Sequence, residues 1–328
     1  MTRQLHRRHF LASTLAAGAS LAVSGARADA YPVAGRPLKL VVPFAPGGGV
    51  DVLARLYAEA LKDKFGTVVV ENRGGANGTL GGQIVHQAAP DGYTLLFSAS
   101  THTMARQVMR NSPYDPVAEF TPIARVGEAP MIVIVTSERP QKTIAEVVAA
   151  AKKEPERWVF GASSVGSMGY LATVAFNQLA GLNLTITAYR GTAPALTDVA
   201  GGHVQLMIDP VLALLPMARS GKVRALAITT PQRSALAPDV PTAAESGMKG
   251  LEFASWYGFW GPKGLPRDIV AWVNKAANEA TRELAKSGRF AELGQEPVTG
   301  TPEEFSRYID ADLTRSAALL KAANFQPM

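Results

Sequence analysis

Leu38-Lys39-Leu40-Val41-Val42-Pro43-Phe44-Ala45-Pro46-Gly47-Gly48-Gly49-Val50-Asp51 is the stretch on which the fold turns. Its first five residues are almost wholly apolar, as in a strand covered on both faces. Pro43 and three glycines break that strand. Val52, Leu53, Leu56, Tyr57, Ala60 and Leu61 then recur at helical spacing, which predicts a helix over 51–64 with Asp51 as N-cap. A helix start presents N–H groups without intrahelical partners and the positive end of the helix dipole. Glycines let a ligand approach the backbone closely. Residues 44–51 are therefore either an anion site or a tight glycine turn without a ligand. Position 52 is Val, so the dinucleotide fingerprint is absent, and no Gly-Lys-Ser/Thr follows to make a phosphate loop.

Outward from this stretch the same alternation repeats. Strands are predicted at 67–70 and 93–97, with a helix at 79–89 ended by Pro90-Asp91-Gly92. Further strands are expected at 131–135, 159–161, 184–188, 204–208 and 225–229, with helices at 144–153 and 166–179. An aromatic-rich strand at 253–260 and long helices at 267–286 and 302–323 complete the pattern. Strands alternating with helices imply a parallel α/β architecture. No flexible linker separates the two α/β units, so two lobes joined by strands are expected.

The N-terminus reads as a secretory leader over 1–30. His6, Arg7 and Arg8 precede an apolar, alanine-rich run from Phe10 to about Val23, and small-x-small sites place cleavage near Ala28 or Ala30. Arg7-Arg8-His9-Phe10-Leu11 has the form of a twin-arginine signal, with general export the alternative. The chain has no cysteine, which excludes a lipoprotein anchor, disulfides and thiolate chemistry. Its formal charge is +6. Cleavage after Ala28 removes Arg3, Arg7, Arg8 and Arg27, leaving 29 basic residues against 27 acidic, about +2. That balance excludes a nucleic-acid binder.

Four more strand ends carry candidate site residues. Ser98, Ser100, Thr101 and His102 follow the third strand, and their hydroxyls can hold a carboxylate without adding charge. Ser163, Ser164 and Ser167 sit between a strand and a helix in the second half. Tyr189, Arg190 and Thr192 form the next set, with Arg190 able to pair with a carboxylate and Thr192 able to cap the following helix. Asp209 closes a strand, where it either positions water or an amino group or caps the next helix.

Little here suggests turnover. No His-x-His, His-Glu-x-x-His or carboxylate cluster indicates a metal, and no cofactor fingerprint is present. Val165 stands where a nucleophile elbow needs its second glycine. Hydroxyls and backbone amides suit binding of a small carboxylate.

The order of several stretches resembles the substrate-binding proteins of tripartite tricarboxylate transporters, the Bug-type family. These stretches are 40–51, Val70-Glu71-Asn72-Arg73, 89–96, Pro113-Tyr114-Asp115-Pro116, Phe120-Thr121-Pro122, Tyr189-Arg190-Gly191, and Val240-Pro241-Thr242 with Glu245. The resemblance implies a two-lobed, periplasmic-binding-protein-like fold with its ligand in the cleft between lobes. It implies lobe I from 31–130 plus 251–328 and lobe II from 131–250. It places a carboxylate at Phe44, Ala45, Gly48, Gly49 and Asp51, with Ser98 to His102 facing the same cleft. The second lobe's grips would be Ser163, Ser164, Ser167, Tyr189, Arg190 and Thr192, with Asp209 nearby. The expected protein is a monomeric periplasmic receptor, not an enzyme, that delivers a dicarboxylate or aromatic carboxylate to membrane transporter subunits. Met168 and Tyr170 would favour an aromatic or longer acid if they lined the cleft. The alternatives are an exported hydrolase using a hydroxyl-rich loop and a ligand-presenting partner of a sensor.

Overall fold

The computed structural model describes residues 31–327; the leader falls outside them. The quoted stretch forms β1 (Leu38–Val42) and α1 (Gly49–Ala60), followed by a short α2 (Lys62–Phe65). Then come β2 (Val68–Asn72), α3 (Thr79–His86), β3 (Thr94–Ala99) and α4 (Ala105–Val108). β4 is one long strand, Phe120–Thr136. The second α/β unit contains α5 (Ile144–Lys153), β5 (Val159–Ala162), α6 (Met168–Ala180), β6 (Thr185–Ala188) and α7 (Thr192–Ala200). It continues through β7 (Leu206–Pro210), α8 (Val211–Arg219) and β8 (Val223–Ile228). The chain closes with β9 (Ala254–Pro262), α9 (Arg267–Lys286), α10 (Arg289–Glu292), β10 (Glu296–Pro297) and α11 (Pro302–Ala322).

The strand order is β2-β1-β3-β9-β4-β7-β5-β6, with β8 and β10 also pairing β4. β1 pairs β2 and β3 in parallel, and β5 pairs β6 and β7 in parallel. β9 is antiparallel and lies between β3 and β4. β4 changes partner along its length. Phe120 to Pro130 run against β9, and Met131 to Val135 run against β7. Sequence reasoning found only 131–135 of this strand. Pro122, Gly127 and Pro130 interrupt the earlier part, and its register slips twice against β9, so no alternation of period two survives there.

Three apolar clusters fill the layers. One lies under α1 and α9 and contains Leu40, Val42, Tyr57, Phe97, Phe259 and Ala277. A second runs from Val41, Leu96, Trp256, Trp260 and Phe305 into the second unit, through Met131, Val133, Phe160, Leu171 and Phe176. The third holds Ile132 and Ile134 with Val199, Met207 and Leu214. Residues 131–134 thus alternate between two cores, as the pleat requires. α11 begins with a capping box, Thr301 with Glu304, and packs Phe305 and Ile309 onto the first unit's sheet. Its far end reaches α6, where Gln178 Nε2 donates to Leu319 O at 3.3 Å. No helix among the described residues is long and apolar enough to cross a membrane.

Gly258 shows how tightly this seam is filled. A Cβ there would lie 2.6 Å from Phe305 Cζ and 2.8 Å from the Ala124 carbonyl. Gly258→Ala should therefore destabilise the protein by about 1–3 kcal/mol through overpacking. A urea midpoint unchanged from the parent would show that α11 yields instead.

Candidate functional site

The candidate loops all follow the carboxyl ends of parallel strands, where open α/β sheets bind ligands. The loop after β5 meets the loop after β2 and the helix α4. Asn77 Nδ2 donates to Val165 O at 3.1 Å, and a Cβ at Gly166 would lie 2.9 Å from Val108 Cγ1. Two surface cavities of about 420 and 500 Å³ are lined by other residues, chiefly around Arg219 and Arg224 and around Leu179 and Arg315.

In the first loop, Phe44 is half-buried and Ala45 to Gly49 are exposed. Gly47 has φ +82°, a left-handed turn that suits glycine. Asp51 is not the N-cap. The helix begins at Gly49 after Gly48, which is the N-cap and has no side chain to offer. Asp51 instead sits one turn in and reaches back, its Oδ2 accepting from Gly47 N–H at 2.8 Å. It also accepts from Arg55 Nε at 3.1 Å and from Asn72 Nδ2 at 2.9 Å. Burial opposes its ionisation, but these donors outweigh burial and hold the carboxyl below its ordinary range. The charge of Asp51 is thereby answered by Gly47, Arg55 and Asn72, and the N–H groups of Ala45, Gly48 and Gly49 are not used for it.

Asn72 was missed as a site residue. It also donates to Phe44 O at 3.1 Å, so it ties β2 to the loop. The segment Gly74 to Gly82 was missed too. A Cβ at Gly74 would lie 3.3 Å from Ala45 N, and one at Gly81 would lie 2.8 Å from Pro43 Cα. The glycine density of 74–82 was the available signal, but it reads equally as a flexible turn.

The third strand's hydroxyl segment is buried. Ser98, Ser100, Thr101 and His102 are each at most 5% exposed. His102 packs edge-on to Phe120 and Trp260, with ring centroids 4.6 and 5.1 Å away. Burial pushes its pKa down to about 3, so it stays neutral. Ser100 and Thr101 lie in a 3-10 turn with no side-chain cap. Ser98 Oγ, Ser100 Oγ and His102 Nε2 have no protein partner among the described residues.

In the second unit Asp209 is the centre. It is 2% exposed. Ser163 Oγ donates to its Oδ1 at 3.1 Å, and Thr192 Oγ1 donates to its Oδ2. Thr192 is therefore no cap: it is the first residue of α7, after Gly191. Asp209 caps nothing either, since Pro210 precedes α8. Ser167 does cap α6, accepting from Tyr170 N–H at 3.1 Å, and it donates to Ser164 O at 2.8 Å. Gly169, missed from sequence, makes room for this arrangement, because a Cβ there would lie 2.7 Å from Asp209 Oδ1. Tyr189 commits its hydroxyl to Asp198 at 2.6 Å; burial and that partner push its pKa up to about 12. Arg190 is exposed. Met168 belongs to the core and Tyr170 packs against Phe325, so neither carries the expected preference for an aromatic acid.

Anion-ready strand ends in both halves of an α/β chain define a solute receptor of the periplasmic-binding-protein class. The solved structure of periplasmic binding protein BugD is similar at TM-score 0.81 and 35% identity, covering 90% of this chain and all of that one. An R. palustris structure with adipate matches at TM-score 0.82 and 33% identity, over 91% of this chain and 100% of its own. The protein BugT of Bordetella pertussis (strain Tohama I) is 35% identical over 297 residues, 90% of each chain. Residues 53–325 match the family described as "Tripartite tricarboxylate transporter family receptor", and the chain belongs to that family.

Burial raises the pKa of Asp209 from an ordinary 3.8 to about 6, with its two hydroxyl donors only partly offsetting the effect. The folded state therefore holds this proton where the unfolded chain releases it. Asp209 imposes no ionisation cost below about pH 4, a growing cost as pH rises to about 6, and a constant cost above. Asp209→Asn lacks that slope. Urea midpoints at pH 4, 5, 6 and 7 should shift progressively in the variant's favour up to about pH 6 and then run parallel. A constant gap across the series would show that Asp209 titrates as an ordinary carboxyl.

Proposed function

We propose that the protein is a periplasmic receptor for a small dicarboxylate of roughly adipate size, which it delivers to the membrane subunits of a tripartite transporter. The observation that carries this reading is the first loop. Ala45, Gly48 and Gly49 are exposed at and just before the start of α1, and their backbone N–H groups are not taken by Asp51, which pairs with Gly47 N–H, Arg55 and Asn72 instead. One ligand carboxylate sits on those N–H groups. The other end meets Ser163, Ser164 and Arg190. Asp209 holds Ser163 and Thr192 in place and is an organiser rather than a direct contact. Buried His102 acts in packing, not in binding.

The lobes in this reading are 31–130 with 251–328, and 131–250. The change of partners along β4 between Pro130 and Met131 supports that boundary. The ligand binds the closed form better and so shifts the lobes together. A micromolar affinity corresponds to about −8 kcal/mol, within reach of a few charge-assisted hydrogen bonds in a closed cleft. Family membership supports a periplasmic location, and in this reading 1–30 is the export leader and the receptor acts as a monomer. Binding without turnover fits the serines: among the described residues, none is hydrogen-bonded to an imidazole. A bound carboxylate is released intact.

Gly48 offers a direct test. Its φ is −76°, and a Cβ there would meet only the Ala45 carbonyl, at 3.7 Å. Gly48→Val should keep the parent's melting temperature while covering the N–H groups. In a thermal-shift panel of adipate, malate, citrate and benzoate, the parent should be stabilised by at least one dicarboxylate and Gly48→Val by none. Equal stabilisation of both proteins would move the site elsewhere, and no response of the parent to any acid would overturn the ligand class.

A further inference from the structure

We propose that Asn77 is a positioning residue that latches the two lobes when the ligand is held, and that it sets the lifetime of the closed form. This inference rests on the two-lobed reading above. Asn77 lies in the turn between β2 and α3, and its amide donates to Val165 O, in the loop between β5 and α6, at 3.1 Å. Among the described residues it is the one side-chain hydrogen bond between the strand-end loops of the first unit and those of the second.

The turn itself is costly to build. Gly75, Ala76, Asn77 and Gly78 have φ of 129°, 45°, 55° and 88°, four left-handed values in succession. Such conformations carry strain wherever a Cβ is present, and they persist only where the surroundings over-determine them. Asn tolerates the region better than most residues; Ala does not. The surroundings supply the constraint. Thr79 Oγ1 donates to Ala76 O at 2.7 Å, and Thr79 is buried. A Cβ at Gly78 would lie 3.6 Å from Pro43 and 3.7 Å from the Phe44 ring. The turn that holds Asn77 is thus the buttress of the anion-binding loop.

On the other side, Val165 lies between Ser164 and Gly166, and Gly166 is itself left-handed at φ +75°. The acceptor carbonyl is therefore built into the loop that carries the second lobe's serines. A ligand bridging the two loops and the Asn77 bond make the same demand on the lobes: both require them together. When the lobes part, water replaces both partners of the bond, so its net contribution is modest. A contact present only in the closed form slows release and leaves capture nearly unchanged.

The test uses two variants. Asn77→Gly keeps the left-handed turn and removes the donor. Asn77→Asp keeps the side chain's size and replaces the donor amide with an acceptor. The chain has no cysteine, so a pair introduced at the exposed positions Asp63 and Lys152, one per lobe, takes dyes specifically. Energy transfer without ligand then reports the open and closed populations, and stopped-flow release reports the lifetime with adipate as probe. Both variants should shift the ligand-free population toward open and release adipate about 2- to 10-fold faster, the range one net hydrogen bond spans. Populations and release rates equal to the parent's in both variants would overturn the latch. If the parent fails to bind adipate, the ligand reading falls, and the ligand-free populations alone decide the latch.

Discussion

Everything in this receptor hangs on the continuity of β4. One strand supplies a wall to both sheets, pairing β9 before Pro130 and β7 after it. A strand cannot be cut without exposing its ladder of N–H and C=O groups, so relative motion of the halves has to be taken up as bending along it. Prolines and register slips mark the first-unit part of the strand. α11 bridges the same boundary, from Phe305 under the first sheet to Leu319 against α6. In the two-lobed reading proposed above, these features join two α/β units whose strand-end loops meet, the requirement for gripping a ligand from two sides.

Two buried aspartates divide the electrostatic work, and they do it in opposite directions. Asp51 is supplied with a guanidinium, an amide and a backbone N–H, and it is held ionised. Asp209 has only hydroxyl donors, and burial favours its protonated form. Asp51 turns its oxygens to Gly47, Arg55 and Asn72, and Asp209 keeps both of its oxygens on hydroxyls. The acids act as scaffolding for loops whose polar contacts are N–H and O–H groups. A receptor for carboxylates can therefore carry carboxylates in its own site, provided the oxygens of each are occupied by donors of the scaffold.

Most elements of the fold were readable because buried parallel strands and amphipathic helices leave strong periodic signatures. β1, α1, α5 and α9 fall close to where spacing puts them. α7 and α8 were expected only as helices following Thr192 and Asp209, without bounds, because residues 192–200 and 211–219 are apolar or small nearly all round, which blurs a helical stripe. The strand-end loops were legible as loops, since glycines and hydroxyls cluster there. What single residues do inside them was not. Asp51 looked like a cap because acids usually are, yet the chain starts its helix two residues earlier and turns the carboxylate back on Gly47. His102 looked like a polar group for the cleft, and three neighbouring aromatic rings claim it instead. Such outcomes depend on long-range packing, which adjacent residues do not encode.

The insertion of β9 between β3 and β4 carries a further implication, for the order of assembly. Its backbone partners lie more than a hundred residues upstream, so the first sheet stays open down its middle until the last quarter of the chain has been made. Loop-closure entropy must be met before those contacts form, and folding through such distant pairings is slow. A nascent chain of this topology has an incomplete first core while most of it already exists.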